Sequence, residues 1–130
     1  LKWEDIKNNI NNLRELTDDV SVSYTTSNIN VMYHHDTINW FKDANLNYHF
    51  NPVISPVYFR PSALPRDVKQ IIFDKFGRTD DLNFFIGNHT EQDDKDFTRM
   101  IAVIKQQDSM KDISIKDYLP EFYNLIQDYY

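Results

Sequence analysis

Three groupings of side chains in this 130-residue chain are of a kind that does chemistry. His34-His35-Asp36 holds metal-ligand residue types. Neighbours on a helix point about 100° apart, however, and chelating histidine pairs sit about one turn apart, so the trio reads as a solvated helix start. Asp36 then suits the positive end of the helix dipole. The carboxylates Asp93, Asp94, Asp96, Asp112, Asp117 and Glu121 are numerous enough for acid–base work. An acid pair needs environments that drive two pKa values apart, which this spacing does not signal, so they read as solvated faces and first-turn acids. The third grouping is the polar corner inside Val20–Lys42, where a β-patterned run passes into a helical one. In parallel α/β sheets such corners lie at the carboxyl ends of strands, where ligands bind.

Several chemistries are excluded by composition. Cysteine is absent, so disulfides, thiolate nucleophiles and protein-ligated iron–sulfur clusters cannot be built from these residues. Only Gly77 and Gly87 occur, which removes the glycine-rich cradles for dinucleotides and nucleoside triphosphates. None of the serines has a glycine-flanked nucleophile elbow. His49 and His89 lack a sequence partner that would make either a base. A net charge of −6 with scattered basic residues opposes nucleic-acid binding. No apolar run approaches the roughly 20 residues that span a bilayer, and no charged-then-apolar leader opens the chain, so the expected location is cytoplasmic. Asn88-His89-Thr90 matches a glycosylation acceptor, a match set aside for want of that leader.

The elements that must position the corner follow from periodicity. Trp3, Ile6, Ile10, Leu13 and Leu16 mark an amphipathic helix, and Val20 to Thr26 alternates as a strand. Asn28 or Asn30 is placed to cap the helix carrying Ile38, Trp40 and Phe41, with Asn45 as its stop. Leu46 to Ile54 reads as a second, shorter strand whose pairing ends or bulges near Pro52. Ser55 to Ser62 is an ordered crossing anchored by Tyr58 and Phe59. Ser62 and Pro65 open a helix lined by Val68, Ile71, Ile72 and Phe76 and stopped by Gly77. The run 80–87 suits strand or helical turn, with helix preferred. A capped helix follows from Thr90 to about Met110, and a last one starts at Pro120. The aromatics read chiefly as core, while Tyr118, Tyr123, Tyr129 and Tyr130 are candidates for covering a partner surface.

Two stretches resemble the C-terminal part of radical SAM proteins, in the group with a short TWITCH or SPASM-like extension that is widespread in phage and environmental sequences. One is Thr25-Thr26-Ser27-Asn28-Ile29-Asn30-Val31 with Ile38-Asn39-Trp40-Phe41, in which Asn30 falls at the family's asparagine. The other is Gln107-Asp108-Ser109-Met110-Lys111-Asp112 followed by Ser114-Ile115-Lys116-Asp117-Tyr118-Leu119-Pro120-Glu121-Phe122, similar to the family's terminal segment and its Pro-Glu-aromatic ending. Lys111-Asp112 departs from the family's Arg-Asn, and the three-cysteine cluster motif is missing.

That resemblance implies a fragment: a helix-rich α/β chain holding two or three late strands of a partial (β/α) barrel over 1–78 and a C-terminal helical extension over 79–130. Leu1, which is not methionine, and a helix pattern under way by Trp3 also hint at truncation. The 4Fe–4S cluster and S-adenosylmethionine (SAM) are implied only for a longer parent, with Thr26, Asn28 and Asn30 nominated as SAM contacts. A missing N-terminal half is the implied partner. The alternative is a free-standing acidic module whose aromatic C-terminus docks on another protein.

Overall fold

The computed structural model describes residues 2–130; Leu1, on which the hint of truncation partly rests, lies outside the described residues. Helix α1 (Trp3–Leu16) leads to strand β1 (Ser21–Thr26). A corner and a 3-10 turn (Val31–Tyr33) connect β1 to α2 (His34–Asp43), which returns the chain to β2 (Asn47–Pro52). The remainder is helical: α3 (Arg66–Phe76), α4 (Asp80–Ile86), α5 (Glu91–Lys111), α6 (Ile115–Tyr118) and α7 (Pro120–Ile126). This is a helix-rich α/β chain with one small sheet among the described residues. Run 80–87 is helix, nucleated by Thr79, whose hydroxyl accepts from the Leu82 amide, and by two acids in its first turn.

β1 and β2 are parallel, in register from Ser21 opposite Asn47 to Thr26 opposite Pro52. The Thr26 carbonyl accepts from the Val53 amide at 2.8 Å. Backbone groups of alternate residues point to opposite edges, so Val22, Tyr24 and Thr26 face β2, while Ser21, Ser23 and Thr25 face outward. On β2 the outward set is Tyr48, Phe50 and Pro52. Pro52 therefore closes the strand with its missing donor on the open side, where no ladder bond is lost.

α1 and α2 run side by side in the same direction. Trp3 packs edge-on against Trp40 with ring centroids 4.8 Å apart. At the other end both terminal nitrogens of Arg14 donate, to the carbonyls of Ala44 and Asn45, at 2.8 Å each. That contact satisfies orphan carbonyls at the end of α2 and sets a cation at its negative pole. Asn45, at φ 52°, makes the left-handed stop expected of it, as Gly77 does after α3 at φ 80°.

The main core joins the corner to the helical half. Val31, Leu64, Val68, Met100, Phe122 and Ile126 are almost completely enclosed in one cluster that spans the 78/79 division. Burial of each such large side chain contributes roughly 1.5–3 kcal/mol. A smaller cluster of Ile38, Phe41 and Leu46, flanked by Ile10, Val22, Tyr24 and Tyr48, fastens α1 and α2 to one face of the sheet.

Three local expectations change. His34 is buried at the start of α2 rather than solvated, packed against the rings of Tyr24, Phe50 and Phe85. Asp93 and Asp96 are buried too, because the first turns of α5 pack against α3 and the 55–62 crossing, which supply Lys69 and Arg60 as partners. Neither Asn28 nor Asn30 caps a helix with its side chain; both are used in the corner itself.

Candidate functional site

The corner after β1 brings Thr26, Asn28 and Asn30 together. Thr26 is fully buried, and its hydroxyl has no partner among the described residues. Asn28 is also fully buried; its amide nitrogen donates to the Tyr58 carbonyl at 2.9 Å and the Ala63 carbonyl at 2.8 Å. It thereby ties the corner to the crossing before α3, and its own backbone amide adds a bond to the Phe59 carbonyl. Asn30 accepts from the Ser27 amide at 2.8 Å and donates to the Thr25 carbonyl at 2.9 Å, a side chain standing in for a backbone turn. Of the three, only Asn30 is partly exposed.

The strands have two unlike faces. Val22, Tyr24, Tyr48 and Phe50 lie beneath the helices and are partly buried. The opposite face carries Ser21, Ser23 and Thr25 from β1 and Asn47, His49 and Asn51 from β2, all six exposed. Asn51 donates to the Ser23 hydroxyl at 2.8 Å across the sheet. Parallel sheets are ordinarily covered on both faces. This one presents a row of hydroxyls, amides and a single imidazole, with no formal carboxylate or ammonium. Such a surface can donate to and accept from a polar ligand.

The face was open to sequence reasoning. Ser21-Val22-Ser23-Tyr24-Thr25 and Asn47-Tyr48-His49-Phe50-Asn51 both alternate polar with apolar. Comparing the two alternations would have marked a shared polar side.

Two charged constellations lie elsewhere. Lys69 on α3 is buried and donates to the Asn88 carbonyl at 2.8 Å, to His89 Nδ1 at 3.1 Å and to Asp93 at 3.1 Å. With Nδ1 accepting, His89 carries its proton on Nε2 and donates it to Asp94 at 3.1 Å. Burial pushes the Lys69 ammonium below its usual range, and the Asp93 carboxylate opposes that shift. Asp93 also accepts from the Thr90 amide, closing the capping box of α5, so this network is accounted for by holding α3 to α5. No sequence signal marks it, since the partners of Lys69 lie 19 to 24 residues away. His34 Nε2 sits 2.9 Å from the Asp81 carboxylate and joins α2 to α4. His35 is exposed and bonds Asn39, so the adjacent histidines diverge as the helical angle requires. No group of three or more metal-ligating side chains occurs among the described residues.

At the C-terminus, the Tyr129 hydroxyl donates to Asp67 at 2.7 Å and the Tyr130 hydroxyl to Asp108 at 3.0 Å. Tyr123 packs on Tyr130. These tyrosines bind the chain's own helices, and Tyr118 is the most exposed of the four. Among the described residues, no helix is long and apolar enough to cross a membrane.

Fold and site together define a helix-rich α/β chain with a one-sided parallel strand pair. No protein-family model, curated protein or solved structure matches it.

Proposed function

We propose that this chain is the C-terminal part of a radical SAM-like protein, unable to catalyse alone, whose bare sheet face forms one wall of a SAM pocket. The observation that carries this is the sidedness of the sheet: helices cover one face, and six polar side chains line the other with nothing against them among the described residues. In a (β/α) barrel the helices lie outside and the opposite face looks into the lumen. An uncharged wall of hydroxyls and amides suits the ribose and base of a nucleoside, which offer both donors and acceptors. Asn30, partly exposed at the carboxyl end of β1, adds to the pocket rim, while the buried Asn28 keeps the corner in place.

The residues present do not fit the cluster that cleaves SAM. Without cysteine there is no thiolate set to hold it, so any cluster belongs to a longer parent. The test has two arms. SAM titrated into the isolated chain is expected to bind no tighter than about millimolar, equivalent to roughly −4 kcal/mol, because one wall is not a pocket. The reading frame ahead of the chain is expected to encode three closely spaced cysteines; a start codon with no such motif before it overturns the proposal.

A further inference from the structure

Helix α1, helix α2 and strand β1 enclose a groove of about 540 Å³, a volume that suits a small organic ligand. Four of its wall residues are the electron-rich aromatics Trp3, Trp40, Tyr24 and Tyr33. The two tryptophans meet edge-on, with ring centroids 4.8 Å apart. The tyrosines are held in place by contacts of their own. Tyr33 donates to the Glu121 carboxylate at 3.0 Å and accepts from the Phe122 amide at 3.3 Å. Tyr24 stacks on His34, with ring centroids 5.9 Å apart. The walls are therefore largely fixed before anything binds.

The charge of the lining says what fits there. Asp36 is its one formally charged residue, and no lysine or arginine lines the groove. Asp36 is exposed, and its carboxylate has no hydrogen-bond or ion-pair partner among the described residues. An anion would meet this carboxylate with no cation to offset it. A primary ammonium would bring three N–H donors to a lining that is mostly apolar, at a cost in lost hydration. A methylated ammonium spreads its charge over a shell of methyl groups, packs against aromatic faces and needs no hydrogen bonds. We infer that this groove is a binding site for a small quaternary ammonium, with Trp3, Trp40, Tyr24 and Tyr33 around the methyl groups and Asp36 as the counter-charge. The inference does not draw on the radical SAM reading, and failure of either leaves the other standing.

The test titrates choline into the chain while the Trp3 and Trp40 indole signals are followed by NMR and fluorescence. The control is its uncharged carbon isostere, the alcohol in which a tert-butyl group replaces trimethylammonium. Choline should saturate both indole signals with a Kd of about 5 mM or tighter. The isostere should bind about tenfold more weakly, since it lacks the charge that the rings attract. Trp3 is half exposed and Asp36 exposed, so Trp3→Leu and Asp36→Asn should both keep the fold, which circular dichroism checks. Trp3→Leu should weaken choline by about fivefold. Asp36→Asn should weaken it by about threefold and leave the isostere within about twofold. No saturable shift below about 50 mM choline, an isostere that binds as tightly, or unchanged choline affinity in both variants overturns the inference. An indole shift that appears on concentrating the chain without choline, and that choline does not reverse, gives the groove to a second copy and equally overturns it.

Discussion

Asn51 Nδ2 lies 2.8 Å from the Ser23 hydroxyl, a side-chain bond across two parallel strands on the face that no helix covers. Ser23 is paired in register with His49, so Asn51 reaches it diagonally, from the position opposite Thr25. Both residues are exposed. A bond so placed is worth little to folding, because water replaces either partner. Ser23→Ala and Asn51→Ala should each change unfolding free energy by no more than about 0.5 kcal/mol in urea denaturation. If the proposed SAM pocket exists, each should weaken SAM binding by the full-length protein severalfold; unchanged affinity in both variants would remove these residues from the proposed pocket wall.

Asn28 should behave in the opposite way. It is enclosed, and its amide nitrogen satisfies two carbonyls on the crossing before α3. Asn28→Ala leaves both carbonyls without that donor and should cost about 2–4 kcal/mol. Asn28→Asp should cost at least as much, since a carboxylate places acceptors against acceptors. Thermal denaturation of the two variants tests this, and a melting temperature near that of the parent in both would contradict a bracing role.

Lys69 and Asp93 are a buried pair, and removing one member strands the other. Lys69→Met should destabilise by about 3–5 kcal/mol because it leaves the Asp93 carboxylate enclosed beside the remaining Thr90 amide. Lys69→Met with Asp93→Asn should recover part of that loss, which a double-mutant cycle measures directly. The folded-state pKa of Lys69 is depressed, so the unfolded chain binds its proton more readily. Its contribution to stability therefore rises with pH from the lowered folded value to the ordinary lysine value of 10.5.

Tyr129 has the opposite sign. Its hydroxyl donates to Asp67, and that bond, with burial second, raises its pKa from 10.0 to about 12. The folded state holds this proton longer than the unfolded state, so the contribution is fully present below pH 10 and lost as pH rises towards 12. Tyr129 is partly solvated, which screens the effect. Absorbance titration of phenolate should show one late-ionising tyrosine that disappears in Tyr129→Phe and moves to lower pH in Asp67→Asn.

His34 is enclosed by Tyr24, Phe50 and Phe85, with Asp81 accepting from Nε2. His34→Ala removes an aromatic ring from the junction of sheet, α2 and α4 and should cost about 2–4 kcal/mol. Asp81→Asn keeps an acceptor in place on a more exposed side chain and should cost less, about 1 kcal/mol. Chemical denaturation of both variants gives the order; equal costs would assign the whole effect to the hydrogen bond.

Local features of the sequence determined much of this protein. Period-2 alternation marked β1, three- and four-residue spacing marked α1, α3 and α5, and Thr90 with Asp93, Gly77, Asn45 and Pro120 set helix ends, because capping and left-handed turns act within a few residues. The absence of cysteine likewise limited the chemistry without reference to any fold. Tertiary structure alone decided where distant residues meet. His34 looked solvated because Tyr24, Phe50 and Phe85 do not adjoin it in sequence, and Asp93 looked like a surface acid because Lys69 lies 24 residues away. Thr26, Asn28 and Asn30 drew attention as polar groups at a strand end, yet the crossing through Tyr58 and Ala63 made Asn28 a brace. The pairing of β1 with β2 was also beyond local reach: hydrogen bonds between strands 26 residues apart in register placed Ser23 and Asn51 on one uncovered face.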